Sequence, residues 1–103
     1  MATSKEYIEF VCGQLQGCGD IRYRKMFGEY MVYINDKPAL TVCDDTVYAP
    51  IHKSIEDVMQ GAERGIPYEG AKERYILDIE NRETALEVMT RLEPHLKLPK
   101  RKK

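Results

Sequence analysis

From Ile21 to Ala49 the side chains follow a period of two, interrupted at Met26-Phe27-Gly28 and at two turn-forming pairs, Asn35-Asp36 and Asp44-Asp45. Tyr30, Val32 and Ile34 fall on one face of such a segment, Met31 and Tyr33 on the other. Successive side chains of an extended strand point to opposite faces, so this pattern predicts half-buried strands. Asn and Asp tolerate positive φ, which suits both pairs to tight hairpin turns. Strands are therefore expected from Ile21 toward Gly28, into which the apolar pair Met26-Phe27 leads, and at Tyr30 to Ile34, Ala39 to Cys43 and Thr46 to Ala49, three or four of them forming an antiparallel meander.

The flanking segments carry the helical period instead. Thr3 and Glu6 make a capping-box pattern, and Tyr7, Ile8, Val11, Cys12 and Leu15 then line one helical face. Gly17 and Gly19 are natural stops. After Pro50, Ser54 is expected to cap a second helix whose buried stripe is Ile55, Val58, Met59 and Ala62. Pro67-Tyr68-Glu69 reads as a short strand and Arg74 to Ile79 as a longer one. Asn81 is expected to cap a third helix with Ala85, Leu86, Met89 and Leu92 inward, ended near Glu93 by Pro94. The expected order is α-β-β-β-α-β-β-α. Strands grouped between helices predict a two-layer α+β fold with an antiparallel sheet.

The chain has 103 residues, the length of one domain. Its net charge of −1 conceals a division. Of 16 Lys and Arg, five fall at 97–103 with no acid, leaving 11 against all 17 Asp and Glu, a net of −6 for residues 1–96. We therefore expect a folded acidic domain over 1–96 and a basic, disordered tail over 97–103. The longest apolar run, Tyr30 to Ile34, is far below the ~20 residues of a membrane-spanning helix. The N-terminus has no signal-peptide character, and three cysteines, an odd number, suit reduced thiols in the cytoplasm.

Chemistry-bearing motifs are few. Cys12, Cys18, Cys43, His52 and His95 lack the spacing of a zinc site, and no metal or cofactor is expected. No Gly-rich phosphate loop or nucleophile elbow occurs. Asp44-Asp45 has the form of a paired-carboxylate site but reads more simply as a solvated turn. Cys12 reads as a small apolar filler on a buried helical face. The second reading of the chain is a small-ligand-binding domain or minor enzyme, with a pocket near Tyr23, Tyr48 and His52. Two basic features remain. Arg22 and Arg24 share one face of their strand, with Tyr23 and Lys25 on the other; they suit contact with phosphate or an acidic partner, or the protection of an edge strand. The tail, Lys97 to Lys103, offers weak, sequence-blind nucleic-acid contact.

The run Arg24-Lys25-Met26-Phe27-Gly28-Glu29-Tyr30, followed by Tyr33, Lys37-Pro38-Ala39, Cys43-Asp44-Asp45-Thr46-Val47-Tyr48 and Ile66-Pro67-Tyr68-Glu69, resembles the N-terminal domain of the TfoX/Sxy family. These are bacterial regulators of competence gene transcription. The resemblance extends from the first helix to Leu92, and its first block is the specific one. It implies a two-layer α+β fold and a regulatory, non-catalytic role. In that family the regulators act together with the cyclic-AMP receptor protein. It supplies no catalytic residue. Met26, Phe27, Tyr30, Asp44, Asp45 and Tyr48 are expected to be structural, and Gly28 to make a bend. The full-length regulators carry a second, C-terminal domain, so a stand-alone N-terminal domain is expected here. Its partner is expected to be a protein, either transcription machinery or a DNA-binding activator, contacted through Arg22, Arg24, Lys25 and Glu29. A homodimer is also expected, while direct nucleic-acid binding is weak or absent at net −6.

Overall fold

The computed structural model of the chain describes residues 4–26, 29–67 and 69–96. Thr3, Phe27, Gly28, Tyr68 and the tail from Lys97 lie outside the described residues, as does the side chain of Met26.

Helix α1 spans Lys5–Gln14. Ser4, not Thr3, caps it: Ser4 is extended, and its Oγ accepts the Tyr7 backbone N–H at 3.1 Å. That hydroxyl satisfies one of the N–H groups with no partner inside the helix. The helix then buries Ile8 and Val11, with Leu15 just beyond its end.

Four strands follow, β1 Ile21–Met26, β2 Glu29–Ile34, β3 Lys37–Cys43 and β4 Thr46–Ala49. Both two-residue turns form as expected, with positive φ at Asn35 (51°) and Asp36 (68°), and at Asp44 (56°) and Asp45 (55°). Register places Tyr30 opposite Val42 and Val32 opposite Leu40, then Val42 opposite Val47 and Val47 opposite Leu77. These side chains form the core face. Pro38 has no N–H to give to a ladder, and the register shifts beside it, where β2 passes from Val32 to Tyr33. Tyr33 opposes Pro38 and Val32 opposes Leu40, so Ala39 is the additional residue.

The second half differs from the local patterns at two places. Residues 53–61 do not form an α-helix. Lys53–Ile55 is one 3-10 turn, and irregular turns continue to Gly61. His52 is the cap, its Nδ1 accepting the Ser54 N–H at 3.0 Å. Gly61 takes φ 82°, which a continuing helix cannot use. The stripe is nonetheless right: Ile55 and Met59 are buried, and Val58 and Ala62 pack against the core. The strand expected at Pro67 lies three residues earlier, as β5 Arg64–Gly65 beside β6 Arg74–Leu77. A Cβ on Gly65 would come within 3.3 Å of both the Tyr48 ring and Ile76, so this close approach suits glycine.

Helix α2 spans Arg82–Leu92, and Asn81 Oδ1 accepts the Thr84 N–H at 3.2 Å. Its buried residues are Ala85, Val88, Met89 and Leu92, at i, i+3, i+4 and i+7; Val88 takes the place expected for Leu86. Pro94 falls in a closing 3-10 turn, Glu93–His95.

The result is an α+β fold. One six-stranded antiparallel sheet in the order β1-β2-β3-β4-β6-β5 packs one face against both helices. Each fully buried Leu, Ile or Val of that face adds about 1.5–3 kcal/mol from burial. Met31, Thr41, Tyr48 and Ile76 oppose one another in a row on the other face. No helix among the described residues is long and apolar enough to cross a membrane.

Candidate functional site

Strand β1 is an outer strand of the sheet. Among the described residues it pairs only with β2, from Ile21 opposite Ile34 to Met26 opposite Glu29. Arg22, Tyr23, Arg24 and Lys25 are all exposed. Their faces follow from register. Arg24 opposes Met31, on the face that carries Tyr48, and Arg22 shares it. Tyr23 opposes Val32 and Lys25 opposes Tyr30, on the helix-covered face.

Tyr23 is 37% exposed and meets Tyr30 edge-on, with ring centroids 5.4 Å apart. Arg22 Nε donates to Asp20 Oδ2 at 3.2 Å, but both side chains are more than half exposed. Such pairs contribute about 0–1 kcal/mol and leave most of the charge open to solvent. Among the described residues Arg24 and Lys25 form no ion pair. A single strand edge thus holds three cations on a body of net charge −6.

The other expected contact residue, Glu29, lies one strand inward at the start of β2. It is half-buried, and burial raises its carboxyl above the ordinary value, with Arg74 acting the other way. Arg22, Arg24 and Glu29 therefore share a sheet face, while Lys25 projects from the opposite one. Arg74 Nε is buried, with no hydrogen-bond partner among the described residues.

Tyr30 is a core residue at 7% exposure, and Asp44-Asp45 is the β3–β4 turn, with Asp45 Oδ1 accepting the Ser4 N–H at 3.4 Å. Tyr48 packs against Gly65 on the face away from the helices, and burial raises its hydroxyl pKa, with smaller contributions from Cys43 and Asp44.

The pocket expected near Tyr23, Tyr48 and His52 does not form. Tyr23 and Tyr48 sit on opposite faces, three strands apart, because Leu40 and Thr41 point opposite ways. His52 is occupied as a cap, and its ring lies 4.8 Å from that of His95. A cleft of about 570 Å³ lies elsewhere, between Tyr7, the β3–β4 turn, the turn at 58–63 and the end of β6. Asp45, Glu63, Asp78 and Glu80 line it, and among the described residues no Lys or Arg does. Burial raises the Tyr7 hydroxyl pKa first, and Asp45, Glu80 and Asp78 raise it further. Chain segments far apart in sequence meet there, so no local sequence pattern marks it.

The thiols are free and poorly ionised. Burial, with Glu9 adding to it, pushes Cys12 up to about 11, so it stays protonated at neutral pH. Burial also raises Cys18, whose Sγ donates to the Leu15 carbonyl at 3.0 Å, and Cys43. Among the described residues no group of three or more His, Cys, Asp or Glu is placed to hold a metal ion.

No family model matches the chain. It is 32% identical over 78 residues to an uncharacterized 12.7 kDa protein in the trpE 5′ region of Spirochaeta aurantia, covering 76% of this chain and 68% of that protein. That identity and coverage put the two chains in one family.

Proposed function

We propose that this chain, which belongs to the family of the Spirochaeta aurantia 12.7 kDa protein, is a non-catalytic protein-interaction domain in transcriptional regulation. The observation that carries the reading is the β1 edge, where Arg22, Arg24 and Lys25 stand exposed on an acidic body. Three positive charges with little internal compensation favour an acidic partner surface and speed its encounter. The Arg24-to-Tyr30 run adds the resemblance to the TfoX/Sxy regulators, and with it transcription machinery or a DNA-binding activator as the partner. The free thiols suit work in a reducing cytoplasm. If two copies associate, they do so away from β1, whose cations repel their own kind.

Affinity capture from the native cell, with wild type beside the Arg24→Ala/Lys25→Ala variant, tests this. RNA polymerase or an activator retained by wild type and lost by the variant is the expected result. Recovery of metabolic enzymes alone overturns the reading.

A further inference from the structure

We propose that the free edge of β1 accepts an extended acidic peptide segment of a partner protein as a seventh strand of the sheet. This rests on the interaction-domain reading above and specifies how that surface is used.

The backbone defines the acceptor. In an antiparallel pair, residues alternate between those bonded to the neighbouring strand and those whose N–H and C=O point away from it. The Asn35 N–H donates to the Asp20 carbonyl at 2.8 Å, which fixes the phase. Asp20, Arg22 and Arg24 therefore bond toward β2. Ile21, Tyr23 and Lys25 turn their backbone groups to the free edge, offering three donors and three acceptors in line. The edge has no proline.

Side chains then select the occupant. A strand laid against β1 places each residue on the same face as the residue it opposes. Positions opposite Arg22 and Arg24 require acids, and the one opposite Lys25 also favours an acid. Opposite Tyr23 lies the ring of an exposed aromatic, which favours an apolar residue. The complementary antiparallel segment reads Glu-Glu-Val-Glu-Val, its first Glu opposite Lys25 and its last Val opposite Ile21.

A second copy of this chain does not fit. In a two-fold pairing of β1 with itself centred on Tyr23, Arg22 faces Arg24 of the other copy, and six cations share one two-stranded ladder. Like charges directly opposite are destabilising. The same cations that keep β1 from pairing with itself make it selective for an acidic strand.

The test is amide hydrogen exchange on the full chain, followed by NMR at low salt, with and without the peptide acetyl-Thr-Glu-Glu-Val-Glu-Val-Thr-amide. Bound peptide is expected to slow exchange at Ile21, Tyr23 and Lys25 by about tenfold or more, while Arg22 and Arg24, already bonded to β2, change little. Raised salt should weaken binding. The variant Arg22→Glu/Arg24→Glu/Lys25→Glu should lose it. So should wild type offered the same peptide with Lys in place of Glu. Because these side chains are exposed, an unchanged exchange pattern away from β1 shows that the variant is folded.

Unchanged exchange at the three odd positions, with peptide bound or not, overturns strand addition. So does an oligonucleotide that protects this edge when the peptide does not. If capture of the transcription partner depends on Arg24 and Lys25 but the odd amides stay unprotected, strand addition fails and the functional reading stands. If the amides are protected but no transcription partner is captured, strand addition stands and the functional reading fails.

Discussion

Gly19 sets the angle at which the chain leaves α1 and enters β1, and Gly19→Ala should be one of the more damaging small substitutions in the molecule. Its φ of 156° is one that residues with a Cβ rarely adopt. Imposing it on alanine costs about 1–3 kcal/mol. The new Cβ would lie 3.0 Å from Ile34 Cγ1, 3.1 Å from Asn35 Oδ1 and 3.2 Å from Ile34 Cδ1. Neither neighbour can give way cheaply. Ile34 is fully buried, and Asn35 Oδ1 accepts the Asp20 N–H at 3.0 Å. Overpacking of this kind costs about 1–3 kcal/mol. The reduced freedom of the unfolded chain returns about 0.4–1 kcal/mol. The expected net loss is roughly 3 kcal/mol, a large part of a typical stability of about 5–15 kcal/mol. Gly13→Ala is the control. Gly13 lies in α1 with nothing within 4 Å of its would-be Cβ, so alanine should stabilise by about 0.5–1 kcal/mol. Urea unfolding of both variants, read from the shift in midpoint at constant slope, measures the difference. A Gly19→Ala protein within about 0.5 kcal/mol of wild type, the range of an ordinary surface change, would refute the reasoning.

Glu93 provides a pH test. Its carboxylate accepts Lys37 Nζ at 2.7 Å and Asn35 Nδ2 at 3.3 Å, and these bonds hold it below the usual glutamate range. A depressed folded value means that the contribution is complete above the unfolded value, about 4.3, and is lost as pH falls through the folded one. Urea midpoints should therefore fall more steeply below about pH 4.3 in wild type than in Glu93→Gln; equal slopes would count against the ion pair. For the tail, removing residues 97–103 should abolish whatever low-salt DNA binding the chain shows, and binding that survives would place the contact on the folded body.

Local physics decides how much of this fold is legible in the sequence. Asn35-Asp36 and Asp44-Asp45 announce their turns because few residue types take positive φ, and Asn81 announces α2 because its side chain replaces a missing backbone acceptor. Misreadings arise where a non-local partner decides. The stripe Ile55, Val58, Met59 and Ala62 buries its residues from irregular turns as well as from a helix, so burial periodicity alone could not separate the two. Pairing with β6 selects Arg64–Gly65 over Pro67, because a strand with an N–H and no side chain fits beneath Tyr48 and Ile76. At the candidate site, the alternation of Arg22, Tyr23, Arg24 and Lys25 is local and was readable. That β1 ends the sheet is a property of strand order, and only the fold supplies it. The same parity separates Tyr23 from Tyr48.

Asn35 joins the entry to β1 to the end of α2. Its backbone N–H and its Oδ1 bind both sides of Asp20, and its Nδ2 reaches the carboxylate that also holds Lys37. The residue that leads into β1 is thereby tied through the β2–β3 turn to the end of α2. Strand addition normally carries the cost of ordering both partners, about 1–2 kcal/mol for each backbone residue fixed. An acceptor edge already pinned at its start leaves that cost mainly on the incoming segment. Stability and recognition should therefore be linked. Gly19→Ala leaves every side chain of the edge in place but disturbs the Asp20–Asn35 junction, so it should weaken the acidic peptide as well as the fold. Gly13→Ala, remote from that junction, should change stability alone. Equal peptide affinity in the folded forms of both variants would show that the charges of β1, rather than its fixed backbone, carry the recognition.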